Sequence, residues 1–375
     1  MGRDLKMQDK ILKPKLDFIP NELVNLKDYE DFAKERVDEN AWAYISGYAA
    51  DEITANANKK AFENISLLGR SLEDVKGGHT RLNLFGQDYD NPIILAPVAY
   101  QKLAHDLGEV ASAQASEAMG SCMVVSGFAS STLEEISTYS DNLWFQLYMQ
   151  YDMQDNLFLI KKAEDLGYKA LIITIDAPIS GIRNKEQKAG FYLPNGIEAV
   201  NIKGMNQSNI EITDNQSIIF DGIMANSPTW KDIEFIRKNT KLPLILKGIT
   251  NPSYAKKAIE IGIDGIVVSN HGGRVLDTLV STMDILPKIV EIVDERIPIL
   301  IDGGITRGTD ILKALAFGAS AVMIGKPIMY GLAVAGALGV AHSLKILKDE
   351  LEIAMALTGC KTLKDIDKEI IYIKE

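Results

Sequence analysis

The sequence predicts an α/β chain folded as a (β/α)8 TIM barrel, and three observations predict it. Eight short apolar runs recur along the chain, each ending in small or polar residues. Segments with helical spacing and helix-start signals separate them. The runs are continuously hydrophobic rather than alternating, as strands buried on both faces must be. An open doubly wound sheet uses the same units, but the count of eight and the regular spacing favour closure.

The runs are, in order, "PIILAPVAY" (92–100), "CMVVSGF" (122–128), "LWFQLY" (143–148), "ALIITIDAP" (170–178), "PLILKG" (243–248), "GIVVSNHGG" (265–273), "PILIDGG" (298–304) and "AVMIGKP" (321–327). Between them, "STLEEI" (131–136) offers Ser131 or Thr132 as a cap with a glutamate three residues on. "NPSYAKKAIEIG" (251–262) and "RGTDILKALAFG" (307–318) each close on a glycine suited to a helix C-terminus. Two segments fall outside this rhythm. Residues 1–91 carry a helical part and then "TRLNLFGQDYDNP", which reads as a hairpin ahead of the barrel of residues 92–375. Residues 179–228 form a long, weakly periodic connection after the fourth run, on the catalytic face of such a barrel, and are expected to be a lid.

Bulk properties bound the setting. The formal charge of −11 argues against a nucleic-acid surface, which needs an excess of clustered Lys and Arg. Cys122 and Cys360 match no metal or disulfide spacing, so a reducing, cytoplasmic home is expected. The start of the chain has no apolar leader, and no later run is expected to reach the ~18 apolar residues of a membrane span.

Active sites of (β/α)8 barrels lie at the C-terminal strand ends. Taken run by run, the polar residues there are Ser126, then Gln146 and Tyr148, Thr174 and Asp176, Lys247, then Ser269, Asn270, His271 and Arg274, and finally Asp302 and Lys326. A purely structural explanation would require each charge to be paired against its desolvation cost.

These residues carry a resemblance. "SNHGGRVLD", "IDGGITRGTDILKALAFGASAVMIGKP", "APVAYQKLAHDLGE", "WFQLY", "TIDAPISGIRNKE" and "MALTGCKTL" together resemble the FMN-dependent α-hydroxy-acid oxidase family, from about residue 40 to the C-terminus. The resemblance implies an FMN enzyme that oxidises a small (S)-2-hydroxy acid, lactate or glycolate, to the 2-oxo acid, with oxygen or another electron acceptor. It also implies a homo-oligomer, a tetramer or its dimer. Such a reaction removes one proton and passes two electrons to the flavin, as a hydride with the hydroxyl deprotonated or through a Cα carbanion, and either route needs a base.

His271 is the natural base, because imidazole titrates near neutrality. Asp176 resembles the carboxylate that pairs with it. Arg183 and Arg274 match the substrate-carboxylate pair, a role suited to planar guanidinium groups. Tyr148 can bond the substrate hydroxyl or carboxylate, and Lys247 matches the cation beside the flavin's N1–C2=O edge. Tyr44 sits one residue nearer its glycine than in the family's "YxxSG" motif, but ungapped alignment of "ADEIT" keeps it in register as a substrate tyrosine. Tyr100 and Phe128 suggest a small substrate pocket.

Backbone at Pro97, Val98 and Ala99, with Ser126, Gln146, Thr174, Lys247 and Ser269, matches positions that hold the flavin ring and ribityl chain. Asp302, Gly303, Gly304, Thr306, Arg307, Gly325 and Lys326 match the phosphate end. The family's "GVRRG" and "IGRP" are "GITRG" and "IGKP" here, so Thr306 and Lys326 stand for two arginines, and weaker FMN retention is expected. Two other readings stay open: an FMN-dependent isomerase resembling type 2 isopentenyl-diphosphate isomerase, and a non-catalytic flavin-binding protein. Neither would require His271, Asp176, Arg183 and Arg274 together.

Overall fold

The computed structural model describes residues 12–206, 210 and 212–373. Residues 1–11 of the stretch expected to lack an apolar leader, and 207–209 and 211 of the expected lid, lie outside the described residues. Three helices lead in: α1 (Asp28–Lys34), α2 (Glu39–Ser46) and α3 (Ile53–Glu63). The short strand β1 (Ile65–Leu67) precedes a hairpin of β2 (Leu82–Leu84) and β3 (Gln87–Tyr89), as the "LFGQ" turn implies.

The eight apolar runs then form the parallel strands β4 (Ile93–Leu95), β5 (Cys122–Ser126), β6 (Leu143–Leu147), β7 (Leu171–Thr174), β8 (Leu244–Ile249), β9 (Gly265–Val268), β10 (Ile299–Asp302) and β11 (Ala321–Ile324). They close in chain order, with β11 pairing β4. Outside them lie α4 (Gly108–Ala118), α5 (Leu133–Ser137), α6 (Met153–Asp165), α8 (Trp230–Asn239), α9 (Pro252–Glu260), α10 (Thr282–Val293), α11 (Gly308–Ala316) and α12 (Lys326–Leu357). The short α7 (Asn184–Ala189) lies within the 179–228 connection, and β12 (Ile371–Ile373) returns to pair with β1. Thr132 caps α5 by accepting from the Glu135 amide, and Asn251 caps α9.

The continuous apolar character of the strands has the expected cause. In β10, Ile299 and Ile301 face the helices while Leu300 joins Val124, Trp144, Ile172, Ile245, Val267 and Met323 inside the barrel. The hairpin plugs the N-terminal end of that interior, where Leu84 and Tyr89 are buried and the Trp144 indole donates to the Tyr89 hydroxyl at 3.1 Å. The opposite, C-terminal end is left for chemistry.

One expectation is corrected. Helix α12 is long and apolar enough to cross a membrane, with mean hydropathy 1.4 over its most apolar stretch, because "AVMIGKP" runs directly into "IMYGLAVAGALGVA". It is a core helix: 72% of that stretch is buried, it packs on α1, α4 and α11, and its helical geometry is broken at Ala335 and Gly336.

Candidate active site

Strand β9 ends at Val268 and the chain turns at once. His271, Gly272 and Gly273 all take positive φ (58°, 61° and 75°), a run that glycine at the last two positions permits. A Cβ on Gly273 would lie 2.8 Å from the Ala55 amide nitrogen, so this turn can be pressed against α3 only without one. The N-terminal segment is pinned there by further bonds. Asp277 accepts from the amides of Asp51, Ile53 and Thr54, and the side-chain amides of Asn58 and Asn270 pair reciprocally at 2.8 and 2.9 Å. Residues 51–58 are thereby held against the site, and Ala55 and Asn58 line its wall.

Facing this turn, β8 bulges between Lys247 and Ile249. Gly248 at the bulge has φ +109°, and a Cβ there would strike the Asp176 side chain at 2.5 Å. The bulge therefore admits Asp176 toward His271, whose Nδ1 lies 3.0 Å from Asp176 Oδ1. Burial alone would raise the Asp176 pKa, but the His271 charge and hydrogen bond, with Lys247 beyond, outweigh it and hold the carboxyl below its ordinary value. An ionised carboxylate can only accept, so a neutral His271 ring carries its proton on Nδ1 and its lone pair on Nε2. That nitrogen faces the Tyr148 hydroxyl at 3.3 Å.

Lys247 is buried and reaches Asp302 Oδ2 at 3.0 Å and Ser269 Oγ at 2.9 Å. Desolvation would lower its pKa, yet Asp302 and Asp176 raise it overall, so a cation is fixed at the mouth of the barrel. Ser269 Oγ also donates to Asp302 and accepts the His271 amide, tying this group to the histidine turn.

Arg183, at the start of α7, and Arg274, after the histidine turn, meet across the same cavity. The Arg183 Nε donates to the Arg274 carbonyl at 3.3 Å, and one Arg274 nitrogen donates to the Gly47 carbonyl. The Arg274 guanidinium lies over the Tyr44 ring, 5.3 Å from its centroid. Tyr44 stacks on Phe191 and meets Tyr100 edge-on, while Phe128 packs on Tyr148 with centroids 4.8 Å apart. The cavity measures about 1380 Å³, above the ~300–1,000 Å³ of a single small-molecule site, and so has room for a cofactor and a small substrate together.

Pro97, Val98, Ala99, Thr174, Lys247, Gly303, Gly304, Thr306, Arg307 and Gly325 line this cavity, whereas Ser126, Gln146 and Ser269 stand behind its wall. Gln146 Nε2 and Thr174 Oγ1, at the ends of β6 and β7, are buried without a protein partner. Each such orphan costs about 1–3 kcal/mol, and a heterocycle with ring carbonyls and nitrogens would satisfy Thr174 Oγ1, which lines the cavity. The residues present therefore fit a flavin.

Asp302 and Lys326, also expected at the phosphate end, line the cavity too and are engaged with protein groups there. Asp302 is engaged with Lys247 and Ser269 at the barrel axis, where an anion is needed to balance the buried lysine. The Lys326 Nζ bonds the carbonyls of Ser46 and Gly47 at 2.9 and 3.2 Å and sits over the Tyr48 ring, and burial beside Arg274 pushes its pKa well below the ordinary value. Asp310, in the first turn of α11, accepts from the Thr306 and Arg307 amides at 3.0 Å, and the Arg307 guanidinium pairs with Glu350 at 2.6 Å. Glu186, which bonds both Arg183 and Arg274, was not singled out in the sequence, although its place three residues after Arg183 in "RNKE" is a helical ion-pair spacing.

A (β/α)8 barrel with a His–Asp pair, two arginines and flavin-competent walls at one mouth fits an FMN-dependent oxidoreductase of 2-hydroxy acids. Comparison with known proteins agrees: residues 33–373 match FMN-dependent dehydrogenase, and the chain belongs to that family. It is 42% identical over 349 residues to an L-lactate oxidase of Roseobacter sp. (strain GAI101), covering 93% of this chain and 94% of that protein. It is 41% identical over 351 residues to a 2-hydroxyacid oxidase of Dictyostelium discoideum, covering 93% and 90%. Among solved structures, a mandelate oxidase with benzoyl-formic acid superposes with a TM-score of 0.85 at 36% identity, covering 94% of this chain and 98% of that one.

Proposed function

We propose that the protein oxidises a small (S)-2-hydroxy acid, L-lactate or glycolate, to the 2-oxo acid with oxygen as acceptor. The observation that carries this reading is the His271–Asp176 pair, with Nε2 turned into the cavity that also holds Arg183, Arg274 and Tyr148. Similarity to proteins named L-lactate oxidase and glycolate oxidase supports the substrate, and their naming as oxidases supports oxygen.

In this reading Arg183 and Arg274 bind the substrate carboxylate, Tyr148 and Tyr44 orient its oxygens, and Nε2 of His271 takes a proton. Asp176 holds the ring in place and stabilises the imidazolium that results. FMN, when bound, accepts the two electrons. Pro97, Val98, Ala99, Ser126, Gln146, Thr174, Lys247 and Ser269 would hold its ring and ribityl chain, and Asp302, Gly303, Gly304, Thr306, Arg307, Gly325 and Lys326 would lie toward its phosphate. The 179–228 connection acts as the lid over this site, excluding water when substrate is bound.

Anaerobic mixing of FMN-loaded protein with a panel of 2-hydroxy acids tests the assignment. Bleaching of the flavin by L-lactate or glycolate, with colour restored on admitting air, is the expected result; a flavin that no member of the panel bleaches overturns it. We also propose a cytoplasmic homotetramer or dimer. Light scattering at micromolar concentration is expected to give a multiple of the 41.2 kDa chain, and a monomer mass removes the proposal.

A further inference from the structure

Glu186 is an acidic side chain inside a site built to take an acid. Its Oε1 accepts from Arg183 at 3.1 Å and from Arg274 at 3.4 Å, and the side chain is only 14% exposed. Its backbone carbonyl accepts the Phe191 amide at 2.9 Å, which fixes α7 beneath the Tyr44–Phe191 stack. The remaining bonds of the two guanidinium groups go to neutral carbonyls, those of Arg274 and Gly47. Among these three side chains two cations and one resident anion thus leave a single positive charge, and Lys326, which shares the Gly47 carbonyl with Arg274, is pushed by burial and by Arg274 well below its ordinary pKa.

We propose that Glu186 sets the charge the arginine pair accepts, making it a receptor for one carboxylate and discriminating against dianions. This rests on the reading that Arg183 and Arg274 bind the substrate carboxylate. A bound monocarboxylate neutralises the clamp. A dianion leaves an excess negative charge beside Glu186 in a partly desolvated cavity, where unit charges a few ångströms apart interact at an effective dielectric of about 20. An arginine pair without Glu186 would instead favour the dianion and hold any product more tightly. Glu186 is therefore a specificity-determining residue that acts through charge rather than by touching the reacting atoms.

Oxalate and oxamate test this, because they share a shape and differ by one charge. Each is titrated into the FMN-loaded protein, and its dissociation constant is read from the perturbation of the flavin spectrum. In Glu186→Gln, which removes the charge and keeps an acceptor oxygen, oxalate affinity relative to oxamate is expected to rise by about tenfold or more. Glu186→Asp is expected to restore the parent ratio, whereas a merely structural role would move both ligands alike. A Glu186→Ser variant reads the same ratio should the glutamine protein fail to retain FMN. A ratio unmoved in the uncharged variants, while both anions bind the parent, overturns the role of Glu186 alone. If neither anion binds the parent, the arginine reading falls and this inference with it.

Discussion

His271→Gln is expected to slow flavin reduction by L-lactate or glycolate by ~10²–10⁴, the range typical of losing a general base. Glutamine can still donate toward Asp176 and accept from Tyr148, so the local hydrogen bonds survive, but it cannot take up a proton. Apart from Ser269, the residues proposed to hold the flavin come from other strand ends, so FMN content and 2-oxo-acid affinity should stay close to the parent values. Anaerobic stopped flow measures the effect directly, and reduction at the parent rate would rule out His271 as base. The result should also hold across neutral pH. The carboxyl of Asp176 is held below its ordinary value, so the partner of the imidazolium remains ionised throughout that range.

Much of this architecture was legible because its causes are local. A strand buried on both faces must be apolar throughout, and one that ends at a catalytic mouth must switch abruptly to polar residues; "GIVVSNHGG" shows both within nine residues. The hairpin was equally readable, since a Phe-Gly turn sits between the short segments "RLNL" and "QDYD". What was not legible depends on contacts between distant parts of the chain. Nothing near Asn58 announces its amide pairing with Asn270, 212 residues away. The destination of Lys326 is decided by the Ser46 and Gly47 carbonyls, and these reach it only once α2 has docked.

The lid shows the same division. Its length and composition predicted a functional excursion, but its weak periodicity hid the short helix α7 and with it the spacing that turns Glu186 back onto Arg183. Composition likewise misjudged α12. Apolar residues all round a helix mark burial as readily as a membrane, and only the packing of α1, α4 and α11 around it decides between them.

Arg274→Met is expected to weaken substrate and 2-oxo-acid binding by roughly 10- to 100-fold, the scale of a charge-assisted hydrogen bond worth about 1.5–3 kcal/mol. Methionine retains an apolar body that can pack beneath Tyr44 but presents no donor. The loss should lie toward the upper end, because Arg274 does more than face the ligand. It also satisfies the Gly47 carbonyl and shares Glu186 with Arg183, so its removal leaves Glu186 balanced by one guanidinium and the clamp with no net positive charge. An incoming carboxylate then meets a neutral site rather than a cationic one. His271→Gln and Arg274→Met should accordingly fail in opposite ways. The first lowers the limiting rate of flavin reduction at saturating substrate, while the second raises the concentration needed to reach saturation and lowers that rate less. Titrating 2-oxo acid against the flavin spectrum separates them without turnover, and an Arg274→Met protein that binds the oxo acid as tightly as the parent would remove Arg274 from the carboxylate clamp.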